Sequence, residues 1–167
     1  VAIFLLPLGG CDENNDSTAI VTASPNTDPN TDTNKPLAVL SSPNTGLVQK
    51  VERANAGDAV TQYNLGLMYS RGDGVPLDAV EAVKWYRKAA EQGVATAQNN
   101  LGSMYSKGNG VPQDDVEAYA WFSVAAAGGY ADAVKNRDLA ASKLTPEQLS
   151  QGQKRATELV EKISGGK

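Results

Sequence analysis

The sequence predicts an all-α protein, a solenoid of helical hairpins that follows a segment without regular structure. Two observations lead to this fold class. First, residues 58–93 recur as residues 94–129 at a shift of 36 positions without any gap, and a period of this length is typical of helical-hairpin solenoids. Second, the composition changes near residue 46 from Asn, Asp, Thr, Ser and Pro to Ala, Leu, Val and Gly.

The chain begins with an apolar run that ends in its only cysteine, Cys11. This run is too short to cross a bilayer as a helix. Leu8, Gly9, Gly10 and Cys11 resemble the lipobox of bacterial lipoprotein signals, and the resemblance implies cleavage before Cys11 and attachment of lipid to its sulfur. We therefore predict that residues 1–11 are a truncated signal peptide whose start lies upstream. The alternative is a cysteine that lies near the start by chance.

Residues 12–45 are rich in Asn, Asp, Thr and Pro and contain few large apolar side chains. Such a segment cannot bury enough surface to offset the entropy lost on ordering, so we expect a disordered linker. Fully stretched, the linker would reach about 110 Å, enough to tether a folded domain to a lipid. Its five acidic residues and single lysine account for the whole formal charge of −4, and residues 46–167 are neutral.

The first helix of each hairpin has one apolar face. In the first repeat Ala59, Gln62, Leu65 and Tyr69 recur at spacings of three and four residues, the period of an amphipathic helix. Gly66 lies on this face, as does Gly102 in the second repeat. A glycine inside an apolar face predicts that the partner helix approaches closely there.

A turn and a second helix complete each hairpin. Gly72 and Gly74 end the first helix, and Pro76 prevents its continuation. Asp78 and Glu81 have the spacing of a capping box for the second helix, and Asp114 and Glu117 repeat it. The second helix is predicted to place these residues inward and to stop at a C′ glycine: Ala82, Trp85, Tyr86, Ala89, Ala90, then Gly93.

The register of Leu-Gly, Met-Tyr, the turn glycines, Trp and Ala-Ala resembles the Sel1-like repeat, a relative of the tetratricopeptide hairpin. Two full repeats match, at about 58–93 and 94–130. The resemblance implies a domain over 46–167, with a partial helix near 47–56 before the repeats and a cap over 131–163 after them. Thr145, Pro146 and Gln148 predict the start of a final helix that covers the apolar end of the stack.

The residue types argue against catalysis and cofactor binding. The chain has no histidine, the commonest general base and metal ligand, and the predicted domain has no cysteine. Gly72-Asp73-Gly74 could suggest a calcium or phosphate loop, but its copy replaces Asp73 by Asn109, as a turn permits. Asp114, Asp115 and Glu117 form the only close acidic cluster of the predicted domain, and helix capping explains Asp114 and Glu117. We expect no catalytic residue, cofactor or metal, and treat an enzyme such as a β-lactam hydrolase as a weak alternative.

A partner-binding face can be assigned by helical geometry. With Leu65 at the centre of the packed face, a step of 100° per residue defines an opposite face on each first helix. In the tetratricopeptide arrangement, which the repeat resembles, that face lines a concave groove. Tyr63 and Leu67 are apolar there, which favours a peptide site, unless the helix near 47–56 covers them. The predicted partner-binding residues are Val60, Tyr63, Leu67, Ser70, Arg71, Thr96, Asn99, Ser103, Lys107, Asp132 and Lys135.

Together these features predict an adaptor, lipid-anchored through Cys11, that binds a protein or peptide in the bacterial envelope. We expect a monomer that faces the periplasm. Asp12 beside the cysteine resembles a signal for retention at the inner membrane, so that membrane is favoured over the outer one. No basic patch is available for phosphates, so nucleic acid is not an expected partner. The alternative function is that of a structural scaffold or assembly subunit of an envelope complex.

Overall fold

A computed structural model describes residues 45–165, and these residues form seven α-helices joined by short turns. Cys11 and nearly all of the predicted linker lie outside the described residues. The helices are α1 (Thr45–Asn55), α2 (Ala59–Arg71), α3 (Ala79–Glu91), α4 (Ala95–Lys107), α5 (Asp115–Ala127), α6 (Ala131–Ala141) and α7 (Pro146–Gly165). The all-α prediction is confirmed. Within 45–165, none of the helices has the length and apolar character to span a bilayer.

The two repeats form the hairpins α2–α3 and α4–α5, and α3 of the first packs against α4 of the second. The core is made mainly of alanine and a few large side chains, among which Leu65 and Leu101 are completely buried. These leucines are 36 positions apart, so each repeat contributes the same residue to one continuous core. The predicted partial helix is α1, which packs on α2 through Leu47, Val51 and Ala54.

Close approach of the paired helices occurs at the predicted glycines. A Cβ atom at Gly66 would lie 2.5 Å from Cδ1 of Tyr86, and Gly102 meets the ring of Phe122 in the same way. Tyr86 and Phe122 are also 36 positions apart. Each hairpin therefore closes by placing an aromatic ring of its second helix against a bare backbone, and the prediction for both glycines is confirmed.

The helix ends follow the predicted turn chemistry, with one correction. Gly72 adopts a left-handed conformation (φ 76°) and its N–H donates to the carbonyl of Met68. The carboxylate of Asp78 accepts from the N–H of Glu81 at 3.0 Å. The predicted capping box is only half formed, however, because the N–H of Asp78 donates to the carbonyl of Tyr69 (2.9 Å) instead of to Glu81. The box at Asp114 is incomplete in the same way, since its N–H donates to Tyr105.

The final helix α7 begins with a complete capping box. The N–H of Thr145 donates to Oε1 of Gln148 (3.0 Å), and the N–H of Gln148 donates to the Thr145 hydroxyl (3.3 Å). The helix covers α5 and also reaches α3. Its Gly152 allows close approach to Tyr119, and its Leu159 is buried in the main core. α7 therefore caps the stack on the side of the second helices and is not a hairpin partner for α6.

Candidate functional site

The predicted partner face contains two cavities related by the repeat. One, of 260 Å³, lies between α2 and α4 beside the buried ring of Tyr86. The other, of 170 Å³, lies between α4 and α6 beside the buried ring of Phe122. Ser103 and Lys107 of α4 line both cavities. We call this continuous surface of α2, α4 and α6 the groove.

Five of the eleven predicted partner-binding residues line the groove cavities. They are Leu67, Ser70, Arg71, Ser103 and Lys107. Sequence reasoning missed seven further lining residues, of which six are on the first helices and one is in the turn: Asn100, Met104, Ser106, Asn136, Leu139 and Ala140, and Asn109 in the turn. The period offered a signal for some of these, because Asn100 and Asn136 stand 36 positions apart and Leu139 stands 36 positions after Ser103.

The wall formed by α2 is held in place by hydrogen bonds. The hydroxyl of Ser70 donates to the carbonyl of Leu67 at 3.0 Å and lies 3.1 Å from the hydroxyl of Tyr86. Burial raises the pKa of the Tyr86 hydroxyl, so the phenol stays neutral at physiological pH. It acts here as a hydrogen-bonding group and not as an anionic nucleophile.

Tyr63 and Leu67 are half-buried, and they are covered by the main core and not by α1, the helix that the sequence analysis considered. Both pack against the main core, and the Tyr63 and Tyr86 ring centroids are 5.9 Å apart. α1 instead contacts Met68 and Tyr69 on another side of α2. The alternative in which α1 covers the apolar pair is therefore wrong. The part of Leu67 that remains exposed lines the first cavity.

Asn99 has a structural position and offers little surface to a partner. Its side chain is 9% exposed and accepts a hydrogen bond from Nδ2 of Asn136 at 2.8 Å. The Ser103 hydroxyl donates to the carbonyl of Asn99 at 3.1 Å. These bonds join α4 to α6 and fix one end of the second cavity.

The remaining predicted residues do not line a described cavity. They lie near the beginning of the first helices: Val60 on α2, Thr96 on α4, and Asp132 and Lys135 on α6. Val60 is 65% exposed, and Asp132 and Lys135 are exposed as well. The structure therefore groups the predicted site around the last turns of α2 and α4, not along their whole length.

Basic side chains stand at equivalent positions along the groove. Arg71 and Lys107 end α2 and α4, are exposed, and form no ion pair with any acidic residue within 45–165. Lys143, another 36 positions on, pairs with Asp115 at 3.7 Å and donates to Ser106 at 3.4 Å. Cations near helix C-termini are favoured by the helix dipole. Arg71 and Lys107, which form no ion pair within 45–165, also give the groove positive charge.

Acidic residues that could suggest a metal site are used in other ways. Asp114 caps α5, Glu117 pairs with Arg155 at 2.6 Å, and Asp115 pairs with Lys143. The sequence argument assigned Glu117 to capping, and the structure corrects this. In the described part of the chain, no three side chains of the metal-binding types come together.

A further cavity, of 360 Å³, lies on the side of the second helices between α3, α5 and α7. Its charged side chains are mostly paired with one another. Arg155 binds Glu117, and Lys162 binds Glu91 at 2.8 Å, while Arg87 contacts the hydroxyl and ring of Tyr105. The two ion pairs hold α7 against the repeats, so the groove offers more uncommitted polar groups than this larger cavity does.

Comparison with known proteins identifies the repeat. A family model described as the Sel1 repeat matches residues 59–94 and 95–130. The chain is similar to c5321, a protective antigen present in uropathogenic Escherichia coli strains that displays an SLR fold (36% identity, TM-score 0.69, 72% of this chain and 26% of that one). It is also similar to a Sel1 repeat protein from Oxalobacter formigenes (40% identity, TM-score 0.52, 53% and 26%). It therefore spans about a quarter of each protein. The curated proteins contain no match.

Proposed function

Since residues 59–130 of this chain are two Sel1 repeats, a type of repeat that typically mediates protein–protein interaction, we propose that the protein is a lipid-anchored adaptor of the bacterial envelope. In this proposal the groove of α2, α4 and α6 binds a segment of a protein partner. The lipid on Cys11 holds the domain at the membrane, and the linker lets the domain, as a monomer, search the periplasm.

The observation that carries the proposal is the pair of repeat-related cavities that meet at Ser103 and Lys107. Two equivalent cavities along one surface suit an extended segment, which can place successive side chains into them. The half-buried Leu67 gives the first cavity an apolar contact, while the exposed Leu139 (62%) does the same for the second. Partner binding would cover both leucines.

The charge of the groove suggests the chemistry of the partner segment. Arg71 and Lys107 lack counter-ions within 45–165, and the amides of Asn100 and Asn109 lie beside them. These groups donate hydrogen bonds, and two of them carry positive charge. We therefore expect the bound segment to contain Asp or Glu next to apolar residues.

Site-specific photo-crosslinking tests the groove. A photo-reactive residue at Ser103 should capture a discrete partner in envelope membranes, and Lys107→Glu should abolish that capture by reversing the charge. The matched control carries the photo-reactive residue at Lys154, exposed on α7. Capture at Lys154 without capture at Ser103 would reject the groove and favour the scaffold function. That alternative draws its support from α6, which exposes Val134 and Leu139 and has no second-helix partner within 45–165.

The lipid anchor is supported by the residues that precede Cys11 and by the linker composition. A precursor expressed in a bacterium should incorporate labelled fatty acid, and the Cys11→Ser variant should not. Density-gradient separation of the membranes then tests the inner-membrane placement suggested by Asp12. Wild-type protein that stays unlabelled and soluble would end this part of the proposal without affecting the groove.

Proteins with this fold generally lack enzymatic activity, and we propose the same for this chain. The weak alternative, β-lactam hydrolysis, has a direct test. The purified chain should not hydrolyse a chromogenic cephalosporin faster than the buffer does, and a rate that depends on protein concentration would revive the enzymatic function.

A further inference from the structure

The two cavities of the groove are copies of one design with different side chains. Every residue that lines the second cavity stands 36 positions after a residue that lines the first. Each cavity lies between two first helices and beside the aromatic ring of the hairpin that the earlier of these helices begins. The differences between equivalent residues therefore show what each cavity is suited to bind.

The first cavity carries two cations that are free to bind a ligand. Arg71 of α2 and Lys107 of α4 both line it, are exposed, and form no ion pair within 45–165. The turn that follows Lys107 packs on the beginning of α3, where Gly110 lies directly against the carbonyl of Ala79. The side chain of Ala79 offers no acceptor there, so Lys107 remains available to a partner.

In the next repeat the equivalent cation is neutralised. Asp115, the first residue of α5, stands where the first repeat has Ala79. Its carboxylate pairs with Lys143 at 3.7 Å, and Lys143 also donates to the hydroxyl of Ser106 at 3.4 Å. Within the described residues, the one cation that lines the second cavity is Lys107, which the first cavity shares.

The second cavity is also the more apolar of the two. Phe122 replaces Tyr86, so the hydroxyl that lies 3.1 Å from Ser70 in the first repeat has no counterpart. Leu139 replaces Ser103 and is 62% exposed. Covering this leucine with another apolar side chain would remove apolar surface from water, which is favourable. Three differences, at Asp115, Phe122 and Leu139, thus change the second cavity in the same direction.

We propose that the cavities are unlike subsites for one partner segment: the first binds the carboxylate of an Asp or Glu between Arg71 and Lys107, and the second binds an aliphatic side chain against Leu139. This assignment rests on the proposed binding of a partner segment in the groove and adds which side chain enters which cavity. An aliphatic side chain in the first cavity would desolvate two cations without pairing them. A segment with the two residues in the reverse order is therefore rejected.

Selection from a library of random dodecapeptides on the purified full chain tests the assignment. The bound peptides should share one acidic and one aliphatic residue in a constant order and at a constant spacing, and Lys107→Glu should release them. No enriched peptide, or peptides that Lys107→Glu retains, would overturn the groove as a peptide site and the assignment with it. Peptides that depend on Lys107 but show no fixed order would overturn the assignment alone.

Variants that exchange the subsites give a sharper test. Ala79→Asp gives Lys107 the partner that Lys143 has, so a selected peptide should bind about tenfold more weakly, the cost of one charge-assisted contact. An acidic residue suits the first turn of α3, so the helical content should remain. The matched control, Gln151→Asp, adds the same charge on the exposed side of α7 and should keep the original affinity.

The reverse exchange should create a new preference. Asp115→Ala frees Lys143, so peptides selected on this variant should carry a second acidic residue where the wild type selects the aliphatic one. Its ion pair lies at the surface and contributes little to stability, so the variant should fold. An unchanged preference would overturn the assignment even if Ala79→Asp did not fold.

Discussion

A Cβ atom placed on Gly102 would lie 2.8 Å from Cδ1 of the Phe122 ring and 3.2 Å from the carbonyl oxygen of Ala118. The ring is buried, and the carbonyl belongs to the backbone of α5. Neither neighbour can move without opening the hairpin. This relationship makes the glycine a structural requirement and provides the first test of the fold.

Gly102→Leu should lower the free energy of unfolding by about 1–3 kcal/mol, because the larger side chain must push α4 and α5 apart. An exposed glycine within a helix would gain stability from such a change, since glycine has a poor helix propensity. The sign of the change in the free energy of unfolding therefore distinguishes a glycine at a close contact from an exposed one. Thermal unfolding followed by circular dichroism gives the measurement. The control is Gly165→Leu, where a Cβ atom meets nothing within 4 Å, and a stable Gly102→Leu variant would contradict the helix pairing.

Oε1 of Gln98 is buried and accepts no hydrogen bond within 45–165, whereas Oε1 of the equivalent Gln62 accepts from Gln92, whose place Gly128 takes in the second repeat. Gly128→Gln should therefore stabilise the free domain by about 0.5–1.5 kcal/mol, because the new amide donates to Oε1 of Gln98. The Cβ atom would lie 3.3 Å from Cβ of Ala95, so α4 must yield slightly. Gly129→Gln is the matched control one residue later. There φ is +86° and a Cβ atom meets nothing within 4 Å, so backbone strain alone should destabilise the domain. In urea unfolding, the midpoint should rise for Gly128→Gln and fall for Gly129→Gln. A shift of both midpoints in the same direction would show that the new amide does not donate to Gln98.

The N-cap of α2 predicts a pH dependence in the acid range. A hydrogen bond from the backbone N–H of Thr61, with help from Arg53, lowers the pKa of Asp58 from 3.8 to about 2. Because the folded-state pKa is the lower one, this carboxylate stabilises the fold above about pH 4 and loses that effect as the pH falls through 2.

Asp58→Asn removes the titration and keeps a good N-cap. The stability advantage of the wild type over Asp58→Asn should therefore shrink steadily between pH 4 and pH 2. Denaturant unfolding of both proteins at several pH values gives the comparison. Parallel curves would show that Asp58 does not titrate differently in the folded and unfolded states.

Gly152→Leu should loosen α7 selectively. A Cβ atom at Gly152 would lie 2.7 Å from Cδ1 of Tyr119, so a leucine there forces α7 away from α5. We expect faster amide hydrogen exchange across residues 146–165, with little change in α2. Gln151→Leu, at the exposed neighbouring position, should leave the exchange of α7 unchanged. Equal protection in both variants would mean that α7 does not depend on this contact.

The sequence was sufficient for the hairpins because each of their features recurs with the period. The close approach of the partner helix at Gly66 and Gly102 could be predicted, as could the capping role of Asp78, whereas the aromatic partners Tyr86 and Phe122 came from the structure. The final helix was predicted to cover the apolar end of the stack, whereas α7 packs on the second helices α5 and α3. A signal for this difference existed. Arg137 and Asp138 of α6 stand where Leu101 and Gly102 stand in α4. A second helix could not pack closely against these two charged side chains. α6 therefore keeps an exposed polar face, on which Arg137 and Asp138 form an ion pair of 2.8 Å.

The site was harder to predict because helical geometry gives the direction in which a side chain points but not how deeply it is buried. The 100° step selected Ser103 and Lys107, and both line the two cavities. It also selected Asn99, which the hydrogen bond from Asn136 buries between α4 and α6. Such a bond joins two repeats and depends on Asn99, for which the first repeat has Tyr63. The unpaired Oε1 of Gln98 has a similar origin, since it follows from comparing Gly128 with Gln92 and not from either residue alone.

The position of α7 has a mechanical consequence for the groove on the other side of the repeats. A solenoid bends when neighbouring repeats pivot about their shared interface. α7 bridges that interface from behind, because Lys162 holds Glu91 of α3 while Arg155 holds Glu117 of α5. Such a brace resists pivoting and keeps the spacing of the two cavities constant. The groove should therefore meet its partner as a stiff template whose curvature is set before binding, and it should select segments by length as well as by charge.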